Sequence, residues 1–250
     1  GDRKWDFREQ IEEGAVVTYG VLVTNTWEGN ESVTVQATAR AGCGCSIING
    51  ANRTLVLTSE SSFRAAVEIQ AAADDIDQGE GQRAATCTID HKIIASTNAN
   101  YTVGTEMQLE VIVRNDDTAG ATLVWGTLQT PALSFNFDEG YPEDQPQEYK
   151  VKLKSEPVSQ IVIDMNTVAE SADMSRIPFH VSPNSVTFDS TNWDTAQTIS
   201  MHSAHNFVDS EIPRGVFTVT HAIRRSDLKS DDRVFDNVKN MTVVVTVAES

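Results

Sequence analysis

The 250-residue chain predicts an all-β fold of two tandem antiparallel β-sandwiches. Three observations predict it: apolar residues alternate with period two, turn residues punctuate the runs, and the chain repeats itself. In order along the first half the alternating runs are Val17-Tyr19-Val21-Val23, Val33-Val35-Ala37, Cys87-Ile89-His91-Ile93 and Met107-Leu109-Val111-Val113. The second half supplies Tyr149-Val151-Leu153, Phe217-Val219-His221-Ile223 and Met241-Val243-Val245-Val247. Val and Thr fill these runs, as a pleated half-buried surface favours, while Gly, Asn, Asp and Pro separate them. The piece most suited to a helix is short and lies at Glu9 to Glu13.

The repeat decides the number of domains. A shift of 130 places Tyr19 on Tyr149, Val21 on Val151, Phe63 on Trp193, Ile69 on Ile199, Ile89 on Val219 and His91 on His221. The shift is 126 near the start (Glu13-Gly14 on Glu139-Gly140) and 134 near the end (Met107 on Met241). Insertions at Pro142 to Pro146 and Lys229 to Asp232 absorb the difference. Core positions keep their phase while loops change length, as homologous sandwiches do. The expected domains are residues 1–120 and 121–250, joined by an apolar linker at Thr122 to Gln129 in which Trp125 wedges between modules.

Composition narrows the function classes. Hydrophobic residues make up 40% of the chain, enough for a core, and no apolar run approaches a membrane span. Acidic residues number 36 against 19 Lys and Arg, for a net charge of -17. That surface repels phosphate backbones and anionic lipid, so neither nucleic-acid binding nor membrane insertion is expected, whereas cations are attracted. Asn-X-Ser/Thr triplets at Asn30, Asn52, Asn100 and Asn240 fall at strand ends or turns, where a glycan can be attached. Cysteines are three, Cys43 and Cys45 in Ala-Gly-Cys-Gly-Cys and Cys87 on a strand. One intrachain bridge, from Cys87 to Cys43 or Cys45, leaves one thiol free or bonded to another chain. An extracellular setting follows from these two signals.

Asn115-Asp116-Asp117-Thr118-Ala119-Gly120 closes the first repeat, and Val186 to Ile199 contains Thr187-Phe188 and Asn192-Trp193. These strings, set in nearly the whole of both repeats, resemble the Calx-β-like repeats of large secreted or cell-surface proteins. The resemblance implies immunoglobulin-like sandwiches arrayed head to tail, with calcium at or between their ends and no catalysis. It carries over a metal role to Glu13, Asp74, Asp75, Glu80, Asp116 and Asp117. Asp77 and Glu12 lie beside them. Calcium takes six to eight oxygen ligands from converging loops, and the three acidic segments meet at one end of the module if the chain folds as that family does. The second repeat has His205-Asn206 in place of Asp74-Asp75 and Ala248-Glu249 in place of the closing acidic pair, keeping Asp138, Glu139, Asp209 and Glu211. Its site is expected to be weak or empty.

A catalytic reading has little to stand on. His91 and His221 share strand phase with Ile89 and Val219 and are expected in the core; His180, His202 and His205 occur in the second repeat only. No hydrolase elbow, zinc-protease, phosphate-loop or dinucleotide string is present. The expectation is therefore a structural, non-enzymatic pair of modules from an extracellular filament or adhesin stalk, calcium-stiffened and glycosylated. Its partners would be other modules or subunits of the same assembly. The alternative is an adhesive, lectin-like module whose partner is a glycan or protein on another surface. The first residues carry no leader and the end falls where another Asp-Asp-Thr-Ala-Gly is expected, so a longer parent chain is expected.

Overall fold

Alternation in the sequence becomes pleated strand almost everywhere in the computed structural model, which describes residues 8–24, 27, 29–79, 83–138, 146–170, 179–203, 214–225, 228 and 230–248. The chain divides into two units: Gly1–Asp74 with Glu80–Asp116, and Asp75–Gly79 with Asp117–Ser250.

The first unit holds β1 (Arg8–Glu12), β2 (Val16–Leu22), β3 (Val33–Ala39), β4 (Cys45–Ile47), β5 (Asn52–Leu57), β6 (Arg64–Ala71), β7 (Arg83–Ser96) and β8 (Glu106–Arg114). They form one sheet in the order β1-β8-β7-β3-β5 and a second in the order β2-β6-β4. The second unit holds β9 (Ala121–Trp125), β10 (Leu128–Thr130), β11 (Ala132–Asp138), β12 (Gln147–Leu153), β13 (Ile161–Ala169) and β14 (Phe179–Ser182). It continues through β15 (Ser185–Phe188), β16 (Gln197–Ser203), β17 (Arg214–Ile223) and β18 (Met241–Ala248). Its sheets run β11-β18-β17-β13-β15 and β10-β9-β12-β16-β14.

The two orders are the same order. Replacing β1, β8, β7, β3 and β5 by β11, β18, β17, β13 and β15 reproduces the large sheet, and β2-β6-β4 maps onto β12-β16-β14. Local bonds repeat with the shift read from the sequence: Val23 N donates to Phe63 O at 3.1 Å, and Leu153 N to Trp193 O at 3.2 Å. Each unit is thus an all-β sandwich, antiparallel except at one place. β1 runs parallel to β8, and β11 parallel to β18. A parallel pair needs a long crossover, and here the remaining strands of the module supply it.

Each sandwich has its own core. Val33, Leu57, Val67, Ile69, Cys87 and Ile89 are fully buried in the first, and Leu123, Val151, Ile161, Phe188, Ile199 and Val243 in the second. Burial of each large aliphatic side chain is worth about 1.5–3 kcal/mol, which is why the phase of the alternation is held so firmly.

Two sequence expectations are corrected. Glu9 to Glu13 is no helix: Arg8–Glu12 is the edge strand β1, paired with Glu110 to Arg114. Ladder bonds and the buried Ile11 outweigh the weak helical preference of Arg, Glu and Gln. Thr122 to Gln129 is no linker either, because it falls in the hairpin of β9 and β10, and β9 pairs with β12. Its apolar character is that of a core strand, with Leu123 fully buried and Trp125 half exposed, its ring edge-on to Phe135 at 5.5 Å. Gly126, at φ 59°, supplies the positive φ that a two-residue hairpin turn requires. The insertion around Lys229 to Asp232 leads into a 3-10 segment, Ser230–Asn237, whose Phe235 is buried. The first unit runs to Asp116, and the short stretch Asp75–Gly79 groups with the second unit.

Candidate functional site

At one end of the first sandwich the chain leaves β1 and crosses to the opposite sheet. Glu13 N donates to Arg114 O at 3.1 Å, Gly14 N to Ala72 O at 3.4 Å, and Ala71 N to Ala15 O at 2.9 Å. These bonds tie the crossover to the tails of β6 and β8. Glu13, Asp74 and Asp116 are therefore carried to the same end of the unit, one by each segment. Glu13 is only 8% exposed, while Asp74 and Asp116 face solvent. A carboxylate oxygen of Glu13 and one of Asp74 lie within 4.8 Å of each other. Two like charges so placed, one of them largely removed from water, repel each other, and a cation relieves both penalties. The donors are all oxygens, which suits a hard divalent ion.

The other acidic residues divide differently. Asp75, Asp77 and Asp117 belong to the second unit. Asp75 is exposed, and its carbonyl accepts from Glu156 N at 2.6 Å. Asp77 serves its own loop: Oδ1 accepts from Gly79 N at 2.6 Å and Oδ2 from Ala119 N at 2.5 Å. Both of its oxygens are thus engaged by backbone amides. Asp117 is half-buried. Glu80 lies outside the described residues, as do Glu139, His205, Asn206, Asp209, Glu211 and Glu249 of the second repeat.

The triplet asparagines Asn30, Asn52, Asn100 and Asn240 are all exposed. Asn52 accepts from Thr38 Oγ1 at 2.7 Å through its amide oxygen, not through the nitrogen that a glycan would join.

Cys45 and Cys87 form the disulfide, linking β4 in one sheet to β7 in the other, and Cys43 keeps its thiol. Cys43 Sγ lies 3.9 Å from Cys87 Sγ and 3.7 Å from Thr88 O. Gly44 explains the Cys-Gly-Cys spacing. Its φ is 71°, and a Cβ built there would stand 2.3 Å from Ala85 Cβ, so only glycine lets this turn press against β7.

His91 and His221 are buried, each bonded to a tyrosine from the facing sheet. Tyr19 Oη and His91 Nε2 are 2.8 Å apart, Tyr149 Oη and His221 Nε2 2.7 Å, with rings edge-on at 84° and 81°. Burial pushes the His221 imidazolium down to about 4 and lowers that of His91 as well. The same burial raises both tyrosine hydroxyls. Both pairs are uncharged near neutral pH and act as polar rivets through the core. The sequence placed the histidines inside but not their partners, although Tyr19 on Tyr149 was one of the aligned pairs.

One buried carboxylate had no signal in the sequence. Asp232, 1% exposed, accepts from Val158 N and Ser159 N at 2.8 Å each and from Ser159 Oγ. It holds the turn between β12 and β13.

Fold and site together define a tandem pair of β-sandwich modules, the first with carboxylates gathered at one end. No protein-family profile matches the chain. No curated protein matches it. Among solved structures it is similar to CBD12 from CALX1.2, at 14% identity over 95% of this chain and 96% of that one, with a TM-score of 0.37. It is similar to a point mutant of the CFA/I enterotoxigenic E. coli adhesin CfaE at 8% identity over 100% and 98% of the two chains, also with a TM-score of 0.37. Mouse cadherin-23 EC22-24 is similar at 10% identity with a TM-score of 0.37, this chain being covered to 98% and spanning 63% of that one. Likeness at this level leaves function to be read from the chain's own geometry.

Proposed function

We propose that the chain is a structural pair of extracellular modules, the first of them stiffened by calcium, that works as part of a larger surface or filament assembly. The observation that carries this reading is the approach of Glu13 and Asp74, whose carboxylate oxygens come within 4.8 Å of each other at the end where β1 and β8 finish. An ion held there joins the end of the first strand to the β6–β7 loop, so it stiffens that end of the module. Two further features support a load-bearing extracellular role. The Cys45–Cys87 bridge staples the two sheets of the first unit, and the second unit repeats the same strand order. Exposed Asn30, Asn52, Asn100 and Asn240 are the proposed glycan carriers.

Calorimetry tests the calcium reading. With calcium about 100-fold above its Kd, the first unit gains about 2.7 kcal/mol, and chelator removes the gain. Glu13→Gln abolishes the calcium response while the second unit melts unchanged. Identical melting with calcium and with chelator would overturn the ion site. A glycan array addresses the binding-module alternative: sub-millimolar capture of a sugar would move the assignment from spacer to adhesin.

A further inference from the structure

We propose that the second unit carries a transition-metal site, formed by His180 and His202, for a divalent cation of the zinc, nickel or copper type. The two residues are direct register partners on β14 and β16. Their rings stack with centroids 4.9 Å apart and planes 11° from parallel. Residues opposite each other in an antiparallel pair hold their Cβ atoms about 4.5–5.5 Å apart, so the backbone has already brought the two imidazoles together. Little side-chain freedom is left to lose when an ion bridges them.

The surroundings suit an ion arriving from solvent. His180 is exposed and His202 half-buried, while Met201 and Ser203, on either side of His202, point inward at 1% exposure each. The pair therefore stands on the outer face of the sheet and takes no part in the core. Glu148 faces the same way from the neighbouring strand. It is opposite Ser200, two residues from His202, and its Oε1 accepts from Ser200 Oγ at 3.3 Å. Two imidazoles, with water filling the remaining positions, suit the nitrogen-and-oxygen set of borderline cations, and Glu148 adds negative charge nearby. The net charge of -17 draws cations to the surface.

This site differs in chemistry and place from the oxygen cluster of the first unit. Calcium prefers oxygen donors, so an imidazole pair discriminates against it. Nor is the pair part of the shared scaffold: β4 and β6, the counterparts of β14 and β16, carry Ser46 opposite Gln70 at the matching place in their ladder. It is a property of the second module alone.

The test uses the full chain in saturating calcium, titrated with Zn²⁺ or Ni²⁺ by calorimetry and followed by NMR with substoichiometric Ni²⁺. One ion is expected to bind with a Kd on the order of micromolar, and His180→Ala or His202→Ala should each weaken it by about tenfold or more. Glu148→Gln should weaken it less, and Cys43→Ser should leave it unchanged. Ni²⁺ should broaden the His180 and His202 ring signals before any others, a readout that needs no variant. Undiminished binding in the His180→Ala/His202→Ala double variant, first broadening elsewhere, or no binding at about 1 mM ion would each overturn the proposal.

Discussion

The pair Tyr149 and His221 shows how much a single buried contact can govern. His221 has a folded-state value of about 4 against 6.5 for an ordinary histidine, because charging it means desolvating an imidazolium in the core. Between those two values the unfolded chain binds a proton that the folded chain does not. Stability is therefore whole above about pH 6.5 and falls as the pH drops toward 4, by up to about 3 kcal/mol from this residue. Melting temperatures measured from pH 7 to pH 4 check this, and His221→Gln should flatten the slope for the second unit. Asp232 makes a second local prediction. Replacing it by Ala strands the amides of Val158 and Ser159 and should cost about 3 kcal/mol in denaturant unfolding. Nothing in Ser-Asp-Asp-Arg marks Asp232 as buried, since its partners lie 73 and 74 residues earlier in the chain.

Strands and the links between them follow a similar division. The long alternating runs read correctly because period two is written into the side chains themselves: β7, β12, β17 and β18 each bury the predicted face. Short or edge elements read less well. Arg8–Glu12 has only Ile11 to bury, and its strand identity comes from β8. In Ala121–Trp125 the apolar residues were legible, but whether they face a neighbouring module or their own core was not. The bridge between β4 and β7 was narrowed to two choices by counting, and Gly44 against Ala85 accompanies the one adopted. With a sequence separation of 42, loop-closure entropy assigns this disulfide about 4 kcal/mol. Cys45→Ser should lower the stability of the first unit by roughly that amount and leave the second unit's transition in place, as urea unfolding followed by NMR can show.

For the molecule as a whole, duplication is the main fact. Two units share one strand order, one tyrosine–histidine rivet and one parallel edge pair, yet differ in their polar equipment. The first has the disulfide and the paired Glu13 and Asp74; the second has the extra β9–β10 hairpin and the 3-10 segment closed by Asp232. Calcium and chelator should therefore shift one calorimetric transition and spare the other, and reductant should act on that same transition. A chain in which calcium moved only the second unit would contradict the assignment of Glu13 and Asp74.

Side-chain alternation and the repeat were enough to reveal an all-β chain built from two similar modules, because both are carried by local periodicity and by spacing along the chain. Which groups meet was settled only by folding. The tyrosine–histidine bonds, the choice of Cys45 over Cys43, the division of the acidic residues between units, the capping role of Asp232 and the His180–His202 stack all join positions that are distant in sequence. Such contacts depend on sheet order and strand register, and those are fixed by how the faces pack rather than by any property of the residues taken one at a time.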